Sequence, residues 1–197
     1  MTDVRPTILP DFHKQVLAVQ RVEKLLLDVT RALDGAKIPY AVVGGNAVAA
    51  WVATVDEDAV RATKDVDLLL RRSDITAAAQ ALTALDLERV EVLGVTMFVD
   101  RKRPSPKKGV HIVFANEKVR GHYEHAAPDT AQSVRAPAGF MVIDLRSLLE
   151  MKLQAFRDID RVHVRDLLSV QLLTDPLIDD VPSDLRKRLR EIRKTPE

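Results

Sequence analysis

The chain has 197 residues, 46% of them hydrophobic, enough for one compact core or one core with a small helical appendage. Its 30 basic side chains stand against 29 acidic ones, so no global field steers it onto nucleic acid or a membrane, and any such binding must use local patches. The absence of cysteine excludes disulfides and thiolate metal sites, no apolar run approaches a membrane span, and "MTDVRPTILPDF" lacks a signal-peptide core; the expected setting is the cytoplasm.

In chain order, Asp11 is placed to cap a first helix that Gly35 would end, with Val22, Leu26, Val29 and Leu33 at helical spacing. Pro39 breaks the pattern, and Tyr40 to Val43 reads as a short buried strand. Asn46 to Ala53 is Ala-rich and reads as a helix. Residues 56–64 are polar and loop-like, and Val66 to Leu70 reads as a strand. Ser73 or Asp74 is placed to cap a helix running to about Leu85. "ERVEVLGVTMFVD" and "GVHIVFA" then read as strands, joined by the loop "RKRPSPKKG". Residues 116–140 read as mostly irregular. Helices are expected over 145–157, 161–174 and 183–194, with Pro176 and Pro182 separating the last two. The expected organisation is an α/β (α+β) part over residues 1–135 and a helical part over 136–197.

The stretch "YAVVGGNAVAAWV" ends a strand in two glycines and opens into a helix. Glycine adopts φ > 0 and lets a ligand approach the backbone. Gly44 and Gly45 would therefore present amide N–H groups at a helix N-terminus, a site suited to a triphosphate, or they would simply make a tight turn. The spacing is neither G-x-G-x-x-G nor the Walker pattern, so dinucleotide and P-loop readings find no support. In "TKDVDLLL", the strand period of two puts Asp65 and Asp67 on the same side. Two close carboxylates repel, and a hard cation such as Mg²⁺ relieves the repulsion. Arg61 and Lys64 are the alternative partners.

The combination "VVGGNAVAAWV…RATKDVDLLL" resembles the signature of nucleotidyltransferases of the DNA polymerase β type, most of all the small bacterial AbiEii-like and toxin-type members. Those carry a Gly-Gly turn, an R-x-T-x-D-x-D strand with Arg61, Thr63, Lys64, Asp65 and Asp67 in the matching stretch, and a helical part with a lysine (Lys152) and an R-D-L segment (Arg165 to Leu167). The likeness spans about residues 38–170. It implies a mixed sheet flanked by helices, an NTP on Gly44, Gly45 and Asn46, and Mg²⁺ on Asp65 and Asp67. It also implies transfer of a nucleotidyl group to a hydroxyl of RNA (tRNA included) or protein, and by analogy a toxin paired with an antitoxin protein.

Asn46 stands where many members have serine. The usual third carboxylate is missing: its position in "GVHIVFA" holds His111, which brings no fixed negative charge. Glu117 and Asp100 are the other carboxylates within reach of that role. A chain without the third acid would be a degenerate member acting as a nucleotide- or partner-binding module.

Lys152 falls in an apolar stripe of Leu145, Leu148, Leu149 and Phe156, and Asp166 has only apolar helical neighbours. They read either as a buried Lys152–Asp166 pair or as a site pair in which Lys152 meets the NTP phosphates and Asp166 orients it, with Arg157 and Arg165 assisting. "RKRPSPKK" (101–108) and "RKRLREIRK" (186–194) are solvated basic surfaces or grips for an RNA backbone. "HYEH" (122–125) lacks zinc-site spacing and reads as loop. No Ser–His–Asp or Gly-x-Ser-x-Gly pattern occurs.

Overall fold

The computed structural model describes residues 12–194, so the expected cap at Asp11 lies outside the described residues. Helix α1 (Phe12–Gly35) buries Leu26, Val29 and Leu33 from the stripe read in the sequence. Strand β1 (Tyr40–Val43) is buried along its whole length and runs straight into α2 (Gly44–Val52), whose first two residues are the glycines themselves. Strand β2 (Val66–Leu70) buries Leu68, Leu69 and Leu70 completely. Consecutive buried residues in both strands mean that both faces of the sheet centre are covered.

After β2 a single 3-10 turn (Arg72–Asp74) leads into α3 (Ile75–Thr83). The expected Ser73 or Asp74 cap does not form, because the Ser73 hydroxyl bonds the Asp74 carboxylate and no side chain caps α3. "ERVEVLGVTMFVD" is a hairpin of β3 (Leu87–Val92) and β4 (Val95–Asp100), closed by Leu93 and Gly94, both at positive φ as a two-residue hairpin turn requires. Strand β5 (Val110–Phe114) follows.

The stretch expected to be irregular to residue 140 contains β6 (Ser133–Arg135), and β7 (Met141–Ile143) follows it. Both are three residues long, too short for a period to show, and they pair with each other across the 135–136 position. The sheet is mixed and seven-stranded, in the order β3-β4-β5-β2-β1-β7-β6. Strand β1 pairs antiparallel with β2 and parallel with β7, and β2 pairs parallel with β5.

Helix α4 (Leu145–Ala155) is capped by Asp144, whose carboxylate accepts from Ser147 N at 2.7 Å. It ends at Phe156, which sits in the left-handed region at φ 50°. The next helix, α5 (Asp158–Ser169), starts earlier than the expected 161–174 because that turn resets the chain and Asp158 and Asp160 fill its first turn. Pro176 starts α6 (Asp175–Asp179) rather than separating helices, since proline is tolerated in a first turn. Helix α7 (Ser183–Lys194) buries Leu185, Leu189 and Ile192. Helices α1 and α3 pack on each other and on the sheet; α2, α4, α5 and α7 form a second group that α2 carries onto β1, β2 and β7. No helix among the described residues is long and apolar enough to cross a membrane.

Candidate active site

The β1–β2 register sets Val43 opposite Asp67, so Asp67 stands beside the point where β1 becomes α2. Gly44 has φ +68°, and a Cβ there would lie 2.0 Å from Asp67 Oδ2. A Cβ on Gly45 would lie 2.9 Å from Thr63 Cγ2 and 3.6 Å from His163 Cε1. The double glycine is therefore a bare surface against which a carboxylate, a threonine and an imidazole pack. No side chain caps the first turn of α2. That turn carries partial positive charge and lies beside Asp67.

Asn46, buried in the first turn of α2, is engaged within the fold. Its amide nitrogen donates to the Asp65 carbonyl at 2.7 Å, and its oxygen accepts from the Thr63 hydroxyl at 2.6 Å. It clamps residues 63–65 onto α2. Asp65 and Lys64 are exposed at the start of β2, and Asp67 is half-buried.

Across the parallel β2–β5 pair, Asp67 faces His111. His111 Nδ1 lies 3.4 Å from Asp67 Oδ1, and Nε2 lies 3.0 Å from the Pro106 carbonyl. The Asp67 hydrogen bond raises the imidazole pKa, against burial, with help from the Pro106 carbonyl and the Asp65 charge. His111 is thus a cation-prone partner of Asp67 where a third acid was expected. Both substitute acids have partners in the structure: Glu117, which lines the same cleft as Asp67, takes two bonds of 2.7 Å from Arg72, and Asp100 accepts the backbone N–H groups of Lys102 and Arg103 at 2.8 Å. Among the described residues no cluster of three His, Asp or Glu side chains is arranged to hold a metal. Two carboxylates still match Mg²⁺, which takes one or two from the protein and fills its octahedron with phosphate oxygens and water.

The expected Lys152–Asp166 pair does not form. Lys152 Nζ lies 3.2 Å from Asp160 Oδ1, with the side chains 6% and 1% exposed. Asp160 also accepts from Arg157 N at 3.2 Å and Arg157 Nε at 2.7 Å. The left-handed turn at Phe156 folds the start of α5 back onto α4, so the acid that meets Lys152 is in the first turn of α5. Asp166, further along, binds Arg61 Nε at 2.9 Å instead. Arg61 is thereby an anchor between the 56–64 loop and α5. Burial lowers the Lys152 pKa while Asp160 and Asp67 oppose it, which puts the ammonium within the field of the site. The Asp160 carboxyl is held below its usual range: its bonds from Arg157 and the Lys152 charge outweigh burial.

Sequence reasoning missed Asp160 and His163. Their signal is the spacing Asp160, His163, Asp166, which lines one side of α5. His163 is buried and its Nδ1 has no hydrogen-bond partner; burial, then the Lys152 charge, push its pKa down to about 4.

A cleft of about 840 Å³ opens beside these residues. Gly44, Asp67, His111, Lys152 and Arg157 line it, together with the β3–β4 hairpin tip and the loop at 116–128. Arg71 holds that loop through Asp129, at 2.6 Å. The 101–108 loop reaches the site through the Pro106 carbonyl on His111, while Arg188 of α7 donates to the Leu153 and Gln154 carbonyls at the end of α4. "HYEH" is loop, with His125 bonded to Asp184 at 2.9 Å.

Asp160→Ala leaves a buried ammonium unpaired and is expected to cost about 3–5 kcal/mol in urea unfolding, whereas Lys152→Met/Asp160→Leu recovers most of it. His163 is neutral in the fold and protonates in the unfolded chain, so its contribution is complete above pH 6.5 and is lost as pH falls toward about 4. Stability against pH should therefore rise across that window by an amount on the order of 3 kcal/mol, and His163→Leu should remove that rise.

No family model and no curated protein matches the chain. Solved structures do. The crystal structure of ANT(2'')-Ia in complex with adenylyl-2''-tobramycin aligns at TM-score 0.55 and 15% identity, over 85% of this chain and 96% of that one. The solution structure of the same antibiotic-resistance factor aligns at 0.53 and 14%, over 91% and 92%. An antigenic nucleotidyltransferase-like protein from Paracoccidioides brasiliensis aligns at 0.53 and 18%, over 88% and 87%. None of these sets the chain among the AbiEii-like members, and identities this low speak to architecture alone: the chain has the fold of the nucleotidyltransferases.

Proposed function

We propose that the chain is a Mg²⁺-dependent nucleotidyltransferase that moves NMP from an NTP to an acceptor hydroxyl and releases pyrophosphate. The observation that carries this reading is the Asp67 carboxylate seated against Gly44, beside an uncapped helix N-terminus and two residues from Asp65. Asp65 and Asp67 would hold the metal, which when bound neutralises phosphate charge and activates the attacking oxygen. The Gly44–Gly45 amides bind phosphate oxygens, and Lys152, Arg157 and Lys64 add positive charge along the cleft. Thr63 and Asn46 fix the Asp65 segment, and the Asp166–Arg61 pair fixes the loop before it.

The acceptor oxygen attacks the α-phosphorus, the bond to the β-phosphate oxygen breaks, and pyrophosphate leaves. The acceptor's proton passes to solvent as the oxygen attacks, while His111, held by Asp67 at Nδ1 and by the Pro106 carbonyl at Nε2, keeps the Asp67 carboxylate in place. Positioning and charge neutralisation supply most of the rate. The basic loop at 101–108 ends against His111, which favours RNA, tRNA included, over a protein as acceptor. A toxin role with an antitoxin partner rests on the sequence resemblance alone.

A second reading keeps nucleotide binding without turnover. It is favoured by His111 in the third acid's place and by the engagement of Glu117 and Asp100 with other partners.

The test is incubation with each labelled NTP, Mg²⁺ and total RNA or cell lysate. The enzyme reading expects labelled product from wild type, its loss with EDTA, and at least a ~10²-fold fall in Asp65→Ala and Asp67→Ala. No label, with Mg²⁺–NTP raising the melting temperature, selects the binding module. No label and no thermal shift overturns both.

A further inference from the structure

His163 is 91% buried on α5, and its Cε1 is 3.6 Å from the place a Gly45 Cβ would occupy. That is ordinary van der Waals contact, so the ring lies packed against the first turn of α2. The ring atom bonded to Cε1, Nδ1, is buried and has no partner. Buried polar atoms without partners cost free energy, and in native proteins they mark sites where a ligand or water completes the bond. The acids one turn to either side are both engaged, Asp160 with Lys152 and Arg157, and Asp166 with Arg61. Burial and the neighbouring Lys152 keep the imidazole neutral, so it offers one N–H donor and one lone pair.

We propose that His163 is a phosphate-contacting residue, its Nδ1–H donating, directly or through one water, to a triphosphate oxygen seated at the Gly44–Gly45 turn. This rests on the nucleotide-binding reading above and extends it from the glycine turn to the buried face of α5. It also gives α5 a reason to carry an imidazole where an apolar side chain would pack without an unfilled bond.

The test is ¹⁵N NMR of the His163 ring in wild type, titrated with Mg²⁺–ATP and, separately, with inorganic tripolyphosphate. The Nδ1 resonance should shift with either anion and saturate with its binding curve. Affinity by calorimetry should fall about tenfold or more in His163→Leu and stay within about threefold in His163→Asn, whose amide occupies the Nδ1 position. Binding of Mg²⁺–ATP with Nδ1 unmoved, or with His163→Leu at wild-type affinity, overturns the inference and leaves the nucleotide reading standing. A tripolyphosphate response without binding of any NTP supports the contact and overturns the nucleotide reading. Binding of neither anion overturns both. The NMR arm does not depend on the variants folding.

Discussion

The contact on which the site depends is the approach of the Asp67 carboxylate to Gly44. A methyl group there would stand 2.0 Å from Oδ2, inside any van der Waals limit. The approach follows from two local facts. The β1–β2 register places Asp67 level with Val43, and the chain turns into α2 at the next residue through a positive φ that glycine adopts without strain. Every other element of the site is arranged around that pair. Thr63 and Asn46 brace the segment leading into β2, and His111 approaches Asp67 from the neighbouring strand.

The C-terminal helices give this arrangement its back wall. Lys152 and Asp160 bury opposite charges under the cleft, and Arg157 completes the carboxylate's hydrogen bonds from the exposed side. A buried pair is weak support for stability in itself, since its desolvation cost rivals its attraction. Its consequence is positional. It locks the start of α5 to α4, brings His163 under Gly45, and leaves Asp166 to hold Arg61. The positive charge of Lys152 stays fixed near Asp67, and its neighbours set its protonation.

Much of this was legible in the sequence where the signal is local. The glycine pair, the Asp-x-Asp strand and the apolar stripe of α1 all showed through spacing. What failed depends on contacts distant in sequence. That Lys152 needs an acidic partner followed from its apolar stripe, but choosing Asp160 over Asp166 required the left-handed turn at Phe156, a conformation a phenylalanine does not announce. Strands β6 and β7 are three residues each and are fixed by pairing with β1 and with each other. The resemblance implies Asn46 beside the phosphates; its partners within the fold, Thr63 and Asp65, lie 17 and 19 residues away and no local spacing shows them.

The most direct measurement is calorimetric titration of Mg²⁺–NTP into Gly44→Ala beside wild type, with folding of both checked by circular dichroism. The added methyl must displace the Asp67 carboxylate and strain the turn by about 1–3 kcal/mol. The account predicts a folded protein whose nucleotide affinity is at least about tenfold weaker. A folded Gly44→Ala protein that binds nucleotide as tightly as wild type would contradict it.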